Sequence, residues 1–243
     1  MNPVQAHFSQ RAGHYDRSSR WCTDEGLGVA TEKAVGAGPH DRLLDIACGT
    51  GLVSKRFKGK AKEVVGLDLT PAMFEHARPH VDRLVEGDAT ALPFADATFD
   101  RVVCRQGIQF MDDGAAVREM VRVLRPRGRV VLIHLCAYGD DDREEYFEVL
   151  RLRNPARRNF YVRDDLRRLL ADAGCARVDL TDFTIDEDVG AWADNKAIDD
   201  ARQNALLAVY RGASAAFASR HAVRTEGDRV IDRMLFCIAT GFV

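Results

Sequence analysis

Three aspartates lie at or just past the ends of short apolar runs: Asp45 in RLLDI, Asp68 closing EVVGLD, and Asp88 directly after RLVEG. The first run leads into a turn, Ala47-Cys48-Gly49-Thr50-Gly51. A glycine-bearing turn after a buried strand is where open α/β proteins hold nucleotides. A dinucleotide loop needs G-x-G-x-x-G, so that backbone closes on a pyrophosphate at a helix N-terminus. Here the first glycine of that frame is Ala47 and the last is Leu52. Asp45 would also repel a doubly anionic pyrophosphate. A nucleoside with no phosphate and a cationic tail reverses this electrostatic logic. S-adenosylmethionine (SAM), with its sulfonium and α-ammonium, is such a molecule. Asp68 falls where a carboxylate would accept hydrogen bonds from a ribose diol, and Asp88 at the height of an adenine amino group.

The elements that must position these groups are legible from residue 42 onward. The runs 42–46, 63–68, 83–87, 99–104 and 129–135 are β-branched, continuous rather than alternating, and bounded by turn residues, as strands covered on both faces are. Helical patterns separate them. Thr70-Pro71 reads as an N-cap followed by proline at the first helical position. Asp112-Asp113 opens a helix whose stripe is Val117, Met120, Val121 and Leu124. Repeated strand–helix units imply a doubly wound, mostly parallel α/β sheet. Helices are expected near 141–153 and over the stripe Leu166, Leu169, Leu170, Ala173, ended by Gly174. Residues 176–183 and 234–241 are the sixth and seventh strands. The whole chain, 1–243, is expected to be one domain with two additions: a helical N-terminal lid over 1–40 and a partly helical, cap-like insertion over 186–232. An insertion of that length is too long for a hairpin loop.

Bulk properties exclude several classes. Lys+Arg number 35 and Asp+Glu 37, a formal net charge of −2, so no general basic field favours nucleic acid. No apolar run approaches a membrane span, and the N-terminus has no signal-peptide core. The six cysteines are widely spaced with no C-x-x-C pair, the pattern of reduced thiols in a cytoplasmic protein.

Four stretches stand in order along the chain: LLDIACGTG (43–51), VVGLDLTPAMFEHAR (64–78), VEGDATALPFADATFDRVVC (85–104) and REMVRVLRPRGRV (118–130). Together they resemble the successive motifs of class I SAM-dependent methyltransferases, nearest in type to the ubiquinone/menaquinone-biosynthesis group and its small-molecule relatives. The resemblance covers residues 5–135 and weakens beyond 140. It implies a Rossmann-like seven-stranded sheet and methyl transfer from SAM, with S-adenosylhomocysteine as product, to oxygen, nitrogen or carbon of a small molecule. It further implies that Asp45, Ala47, Gly49 and Gly51 contact the methionine part of SAM, partly through backbone, and that Asp68 holds the ribose. Leu69 and Met73 would pack on the adenine face, Asp88 with Ala89 would bind its edge, and Arg105 and Gln106 would line the methionine side. Tyr15, in GHYD, matches a segment that folds over SAM in this group.

Other residues admit two readings. His134 ends the fifth strand beside the expected acceptor and could deprotonate a hydroxyl, since its ordinary pKa is near neutrality. It could equally be a hydrogen-bonded strand-end histidine. Gln109, Arg157, Phe160 and Tyr161 are candidates for acceptor contacts, with the pair Arg157-Arg158 able to clamp an anion or simply to be solvated. Cys48, Cys104 and Cys136 end three strands, but no His or Cys pair has ligand spacing, so no metal is expected. The remaining alternatives are a SAM-binding protein of the same fold with another or no catalytic activity, and a NAD-dependent oxidoreductase. The insertion could also serve a homodimer interface.

Overall fold

The computed structural model describes residues 3–243. Its sheet is built from β1 (Arg42–Ile46), β2 (Glu63–Asp68), β3 (Arg83–Glu86), β4 (Phe99–Arg105), β5 (Leu124–Cys136), β6 (Arg177–Asp188), β7 (Arg224–Glu226) and β8 (Arg229–Phe242). The order is β3-β2-β1-β4-β5-β8-β6, with β7 paired to β8. Strands β1 to β5 pair in parallel, and β8 runs antiparallel to both neighbours. The sheet therefore has eight strands rather than seven. The extra one, β7, lies inside the stretch expected to be helical insertion and folds back on β8 as a hairpin.

Successive residues of each strand alternate between two cores, as the pleat requires. Leu43, Val64, Val103, Val131 and Ile133 join one face, and Leu44, Val65, Val102, Val130 and Leu132 the other. α5 (Asp113–Arg122) and α7 (Arg163–Asp172) cover the second face through Val117, Met120, Leu166 and Leu170. The Asp112 side chain accepts from Ala115 N, capping α5 where the sequence indicates.

α1 (Pro3–Arg11) packs on the turn after β2. On the first face lie α2 (Arg20–Thr23), α3 (Glu25–Val35) and α6 (Arg143–Arg153). With them lie α8 (Val189–Ala193), α9 (Asp200–Arg211) and α10 (Ala215–Arg220). Trp21, Leu27 and Val35 are buried there. Within the insertion, Leu206 and Tyr210 are buried, whereas Ala205 is exposed. α9 packs along α6. The insertion thus completes a core rather than standing over the sheet edge. At its base, buried His221 lies between Asp232 (Nδ1 to Oδ1, 2.8 Å) and Asp142 (Nε2 to Oδ2, 3.0 Å), and Tyr210 donates to Asp232 at 2.6 Å.

Two expected helices are shorter than the pattern suggests. After β1 there is only a 3-10 turn, Ser54–Arg56. After β2 comes a 3-10 turn, Pro71–Met73, then α4 (Phe74–Ala77), and Thr70 makes no side-chain cap. A second proline, Pro79, sits in the next 3-10 turn, Arg78–His80, where it cannot continue a helical ladder.

Candidate active site

Strand order reverses between β1 and β4, and the loops leaving their carboxyl ends diverge to open a crevice. A cavity of about 270 Å³ fills it, lined from β1 by Ala47 and Gly49, from β2 by Asp68, Leu69 and Met73, from β3 by Asp88 and Ala89, and from β4 by Gln106. The N-terminal segment closes it from above with Val4, Phe8 and Tyr15. Gln5 Nε2 donates to Leu69 O at 2.8 Å, and Thr50 Oγ1 to Asp16 Oδ1 at 2.6 Å, so this segment is tied to both of the first two loops.

The floor is held by unusual backbone. Ala47 and Gln106 have φ of 53° and 55°, a left-handed conformation uncommon outside glycine, and both face the cavity. The two loops touch at Gly107, where a Cβ would come within 2.6 Å of Ala47 Cβ and 2.7 Å of Cys104 Sγ. Gly49 (φ +54°) turns its N–H onto Asp68 Oδ2 at 2.8 Å, and Thr70 N donates to Asp68 Oδ1 at 2.8 Å. Burial pushes the Asp68 pKa up, against hydrogen bonds from Gly49, Thr70 and Leu69 that hold it down.

Nine of the twelve residues expected at the cofactor line this cavity: Tyr15, Ala47, Gly49, Asp68, Leu69, Met73, Asp88, Ala89 and Gln106. Three do not. Asp45 is sealed beneath the loop, where Ser54 Oγ donates to it at 2.6 Å, and burial raises its pKa to about 6. Its carboxylate holds the loop from below instead of meeting a ligand. Gly51 (φ +82°) faces Ala77 and His80. The Arg105 guanidinium lies 5.6 Å from the Trp21 ring centroid. The negative charge at the cavity is carried by Asp68, Asp88 and Asp112, against one arginine, Arg158. Phe110, Met111, Asp112 and Arg158 also line the cavity, with no local sequence signal that marks them as cofactor contacts. The first three sit in a turn whose path depends on how β4 ends, and Arg158 arrives from a loop fifty residues away.

A smaller cavity of about 50 Å³ adjoins the first across a partition of Phe8, Tyr15, Gln106 and Phe110, which line both. Gln109 and Arg157, two of the four expected acceptor contacts, line it. The other two do not. Phe160 packs on Phe147, ring centroids 5.4 Å apart, between Arg151 and Arg157. Tyr161 is buried and donates to Asp113 Oδ2 at 2.9 Å. His134 is a clearer correction. It has no exposed surface, lines neither cavity, and neither ring nitrogen has a hydrogen-bond partner. Burial drives its pKa well below the ordinary value. A general base must reach the proton it takes, and this imidazole is walled in against the Tyr161 ring. Among the described residues no group of His, Cys, Asp and Glu is placed to hold a metal ion. No helix among them is long and apolar enough to cross a membrane.

A family model described as a methyltransferase domain matches residues 44–132, the segment that builds β1 to β5 and the floor of the larger cavity. The solved structure of the YcgJ protein of Bacillus subtilis superposes with a TM-score of 0.81 at 23% identity, covering 90% of this chain and 97% of that one. Residues 44–132 are thus similar to a methyltransferase domain, and the chain shares its fold with the YcgJ protein. Among curated relatives, the demethylmenaquinone methyltransferase of Renibacterium salmoninarum is 42% identical over 103 residues, 41% of this chain and 43% of its own length. The uncharacterized methyltransferase YcgJ of Bacillus subtilis is 34% identical over 158 residues, 61% of this chain and 62% of its own. The matched part is thus about half the length of these relatives.

Proposed function

We propose that the protein transfers a methyl group from S-adenosylmethionine to a small-molecule acceptor. The observation that carries this reading is the Asp68 carboxylate. It stands at the end of β2 on the cavity wall, pinned by Gly49 N and Thr70 N. Such a carboxylate suits a ribose diol. Leu69, Met73 and Ala89 offer an apolar slot for a base, and Asp88 an acceptor at its edge. The preponderance of carboxylates suits a cationic tail. A pyrophosphate would find only a three-residue 3-10 turn after β1, where it needs a helix N-terminus.

Bound S-adenosylmethionine supplies a methyl carbon activated by the adjacent sulfonium. In the displacement an acceptor atom bonds to that carbon in line as the carbon–sulfur bond breaks and its electron pair goes to sulfur. Positive charge disperses as this happens, so the protein's contribution is alignment and exclusion of water. Phe8, Tyr15, Gln106 and Phe110 stand between the two cavities and are placed to align an acceptor entering from the smaller one. The N-terminal segment acts as the lid that excludes water.

Isothermal calorimetry tests the reading. S-adenosylhomocysteine should bind one per chain, and NADH should not bind. NADH binding with no response to S-adenosylhomocysteine would overturn it.

A further inference from the structure

Side-chain polar atoms that are buried without a hydrogen-bond partner cluster in one place. Among the described residues ten such atoms occur, and six belong to residues lining the smaller cavity: Arg11 Nε, Trp21 Nε1, Gln106 Nε2, Gln109 Oε1, Arg153 Nε and Arg157 Nη2. Five of the six are N–H donors. Buried donors are nearly always satisfied in native proteins, and each orphan costs on the order of 1–3 kcal/mol.

The three arginines sharpen the point. Arg11 and Arg153 are 5% and 6% exposed, and among the described residues none of the three has a carboxylate in an ion pair. Arg11 reaches neutral partners: Ser18 Oγ at 2.9 Å, His7 Nε2 at 3.4 Å, and the Phe8 and Tyr15 rings, 5.7 and 5.2 Å to the centroids. Arg153 lies over the Trp192 ring and Arg157 over Phe160, 5.0 and 5.3 Å from the centroids. Glu187 acts on Arg153 only from beyond ion-pair reach and accepts instead from Arg20 N at 2.8 Å. Burial pushes all three guanidinium pKa values down, and Arg11 and Arg153 work against each other. A guanidinium does not shed its proton in a protein. The unfavourable charge must therefore be met by something that enters the cavity.

We infer that the smaller cavity binds the anionic headgroup, a carboxylate or phosphate, of the methyl acceptor. This rests on the methyl-transfer reading and adds to it the acceptor's chemical class. Planar guanidinium forks match both oxyanions. A volume of 50 Å³ is the room of roughly three to five water molecules, enough for such a headgroup and its first carbon. Trp21, Trp192, Leu135 and Leu150 wall the remainder, so the group bearing the charge is apolar. The rest of the acceptor then crosses the partition of Phe8, Tyr15, Gln106 and Phe110 toward the larger cavity.

Trp21 and Trp192 are the chain's two tryptophans, and both line this cavity, so intrinsic fluorescence reports on it directly. Protein saturated with S-adenosylhomocysteine would be titrated with benzoate, phenyl phosphate and the neutral isostere benzamide. At least one anion should give a saturable fluorescence change at tenfold or more lower concentration than benzamide, and the tighter of the two identifies the headgroup. Arg153→Met and Arg157→Met, checked for native circular dichroism, should each lose that preference while binding S-adenosylhomocysteine within twofold of the parent. Equal response to anions and benzamide, no saturable anion response, or an undiminished preference in both variants would overturn the inference. If S-adenosylhomocysteine fails to bind the parent, the methyl-transfer reading falls. The anion titration repeated without it then decides the headgroup site on its own.

Discussion

The Asp68 carboxylate and the Gly49 amide lock two loops together: Gly49 N donates to Asp68 Oδ2 at 2.8 Å across the carboxyl ends of β2 and β1. The same contact fixes the positive-φ turn and orients the oxygens at the cavity wall. Asp68→Ala should therefore weaken S-adenosylhomocysteine binding by about 1.5–3 kcal/mol, the range for hydrogen bonds to a charged group. Asp68→Asn, which keeps one acceptor, should lose less. Calorimetry on both folded variants measures the difference, and unchanged affinity in Asp68→Ala would remove the ribose assignment.

The N-terminal segment meets the rest of the site through a few specific contacts: Gln5 to Leu69 O, Asp16 to Thr50, and Phe8 edge-on to Phe110 at 5.0 Å. Segments with few buried apolar contacts open at low free energy. Amides over residues 3–17 should exchange quickly in the free protein and slow on adding S-adenosylhomocysteine. Hydrogen-exchange mass spectrometry reads this directly; identical rates in both states would mean the segment is a fixed wall.

His134 has two orphaned nitrogens in an apolar layer. Replacing a buried unsatisfied polar group by an apolar one of similar size relieves a penalty of about 1–3 kcal/mol. His134→Leu should raise the thermal midpoint and leave S-adenosylhomocysteine affinity unchanged. A lowered midpoint would show that the imidazole has a structural partner.

His221 titrates in the opposite sense. Desolvation lowers its pKa, but hydrogen bonds to Asp142 and Asp232 outweigh that and raise it from 6.5 to about 9. The folded state holds the proton more tightly than the unfolded chain, so this stabilisation is full below about pH 6.5 and is lost as pH rises through about 9. Breaking a buried pair costs about 3–5 kcal/mol. The stability gap between parent and His221→Gln should be widest near pH 6 and shrink toward pH 10. Urea melts across that range provide the check, and a gap independent of pH would mean His221 is buried uncharged.

The sequence alone determined the parallel half of the sheet and most of the larger cavity. Strand runs covered on both faces leave a continuous apolar signature, and residues just past their ends must cluster where strand order reverses. Asp68, Asp88, Ala47 and Gln106 are local in that sense: each is placed by the strand it follows. Asp45 differs because pleat direction and the Ser54 hydroxyl, not strand-end position, decide where its side chain points. His134 lies in a strand that β8 flanks on the side away from β4, and Tyr161 then closes over its ring, a burial invisible from its own neighbours. The smaller cavity was decided only by tertiary structure. Arg11, Trp21, Gln109, Arg153 and Trp192 come from the N-terminal segment, the turn after β4, α6 and the insertion, at separations no periodicity relates. Charge counting could not find it either, since its three arginines are indistinguishable in sequence from the solvated ones until the fold removes their water.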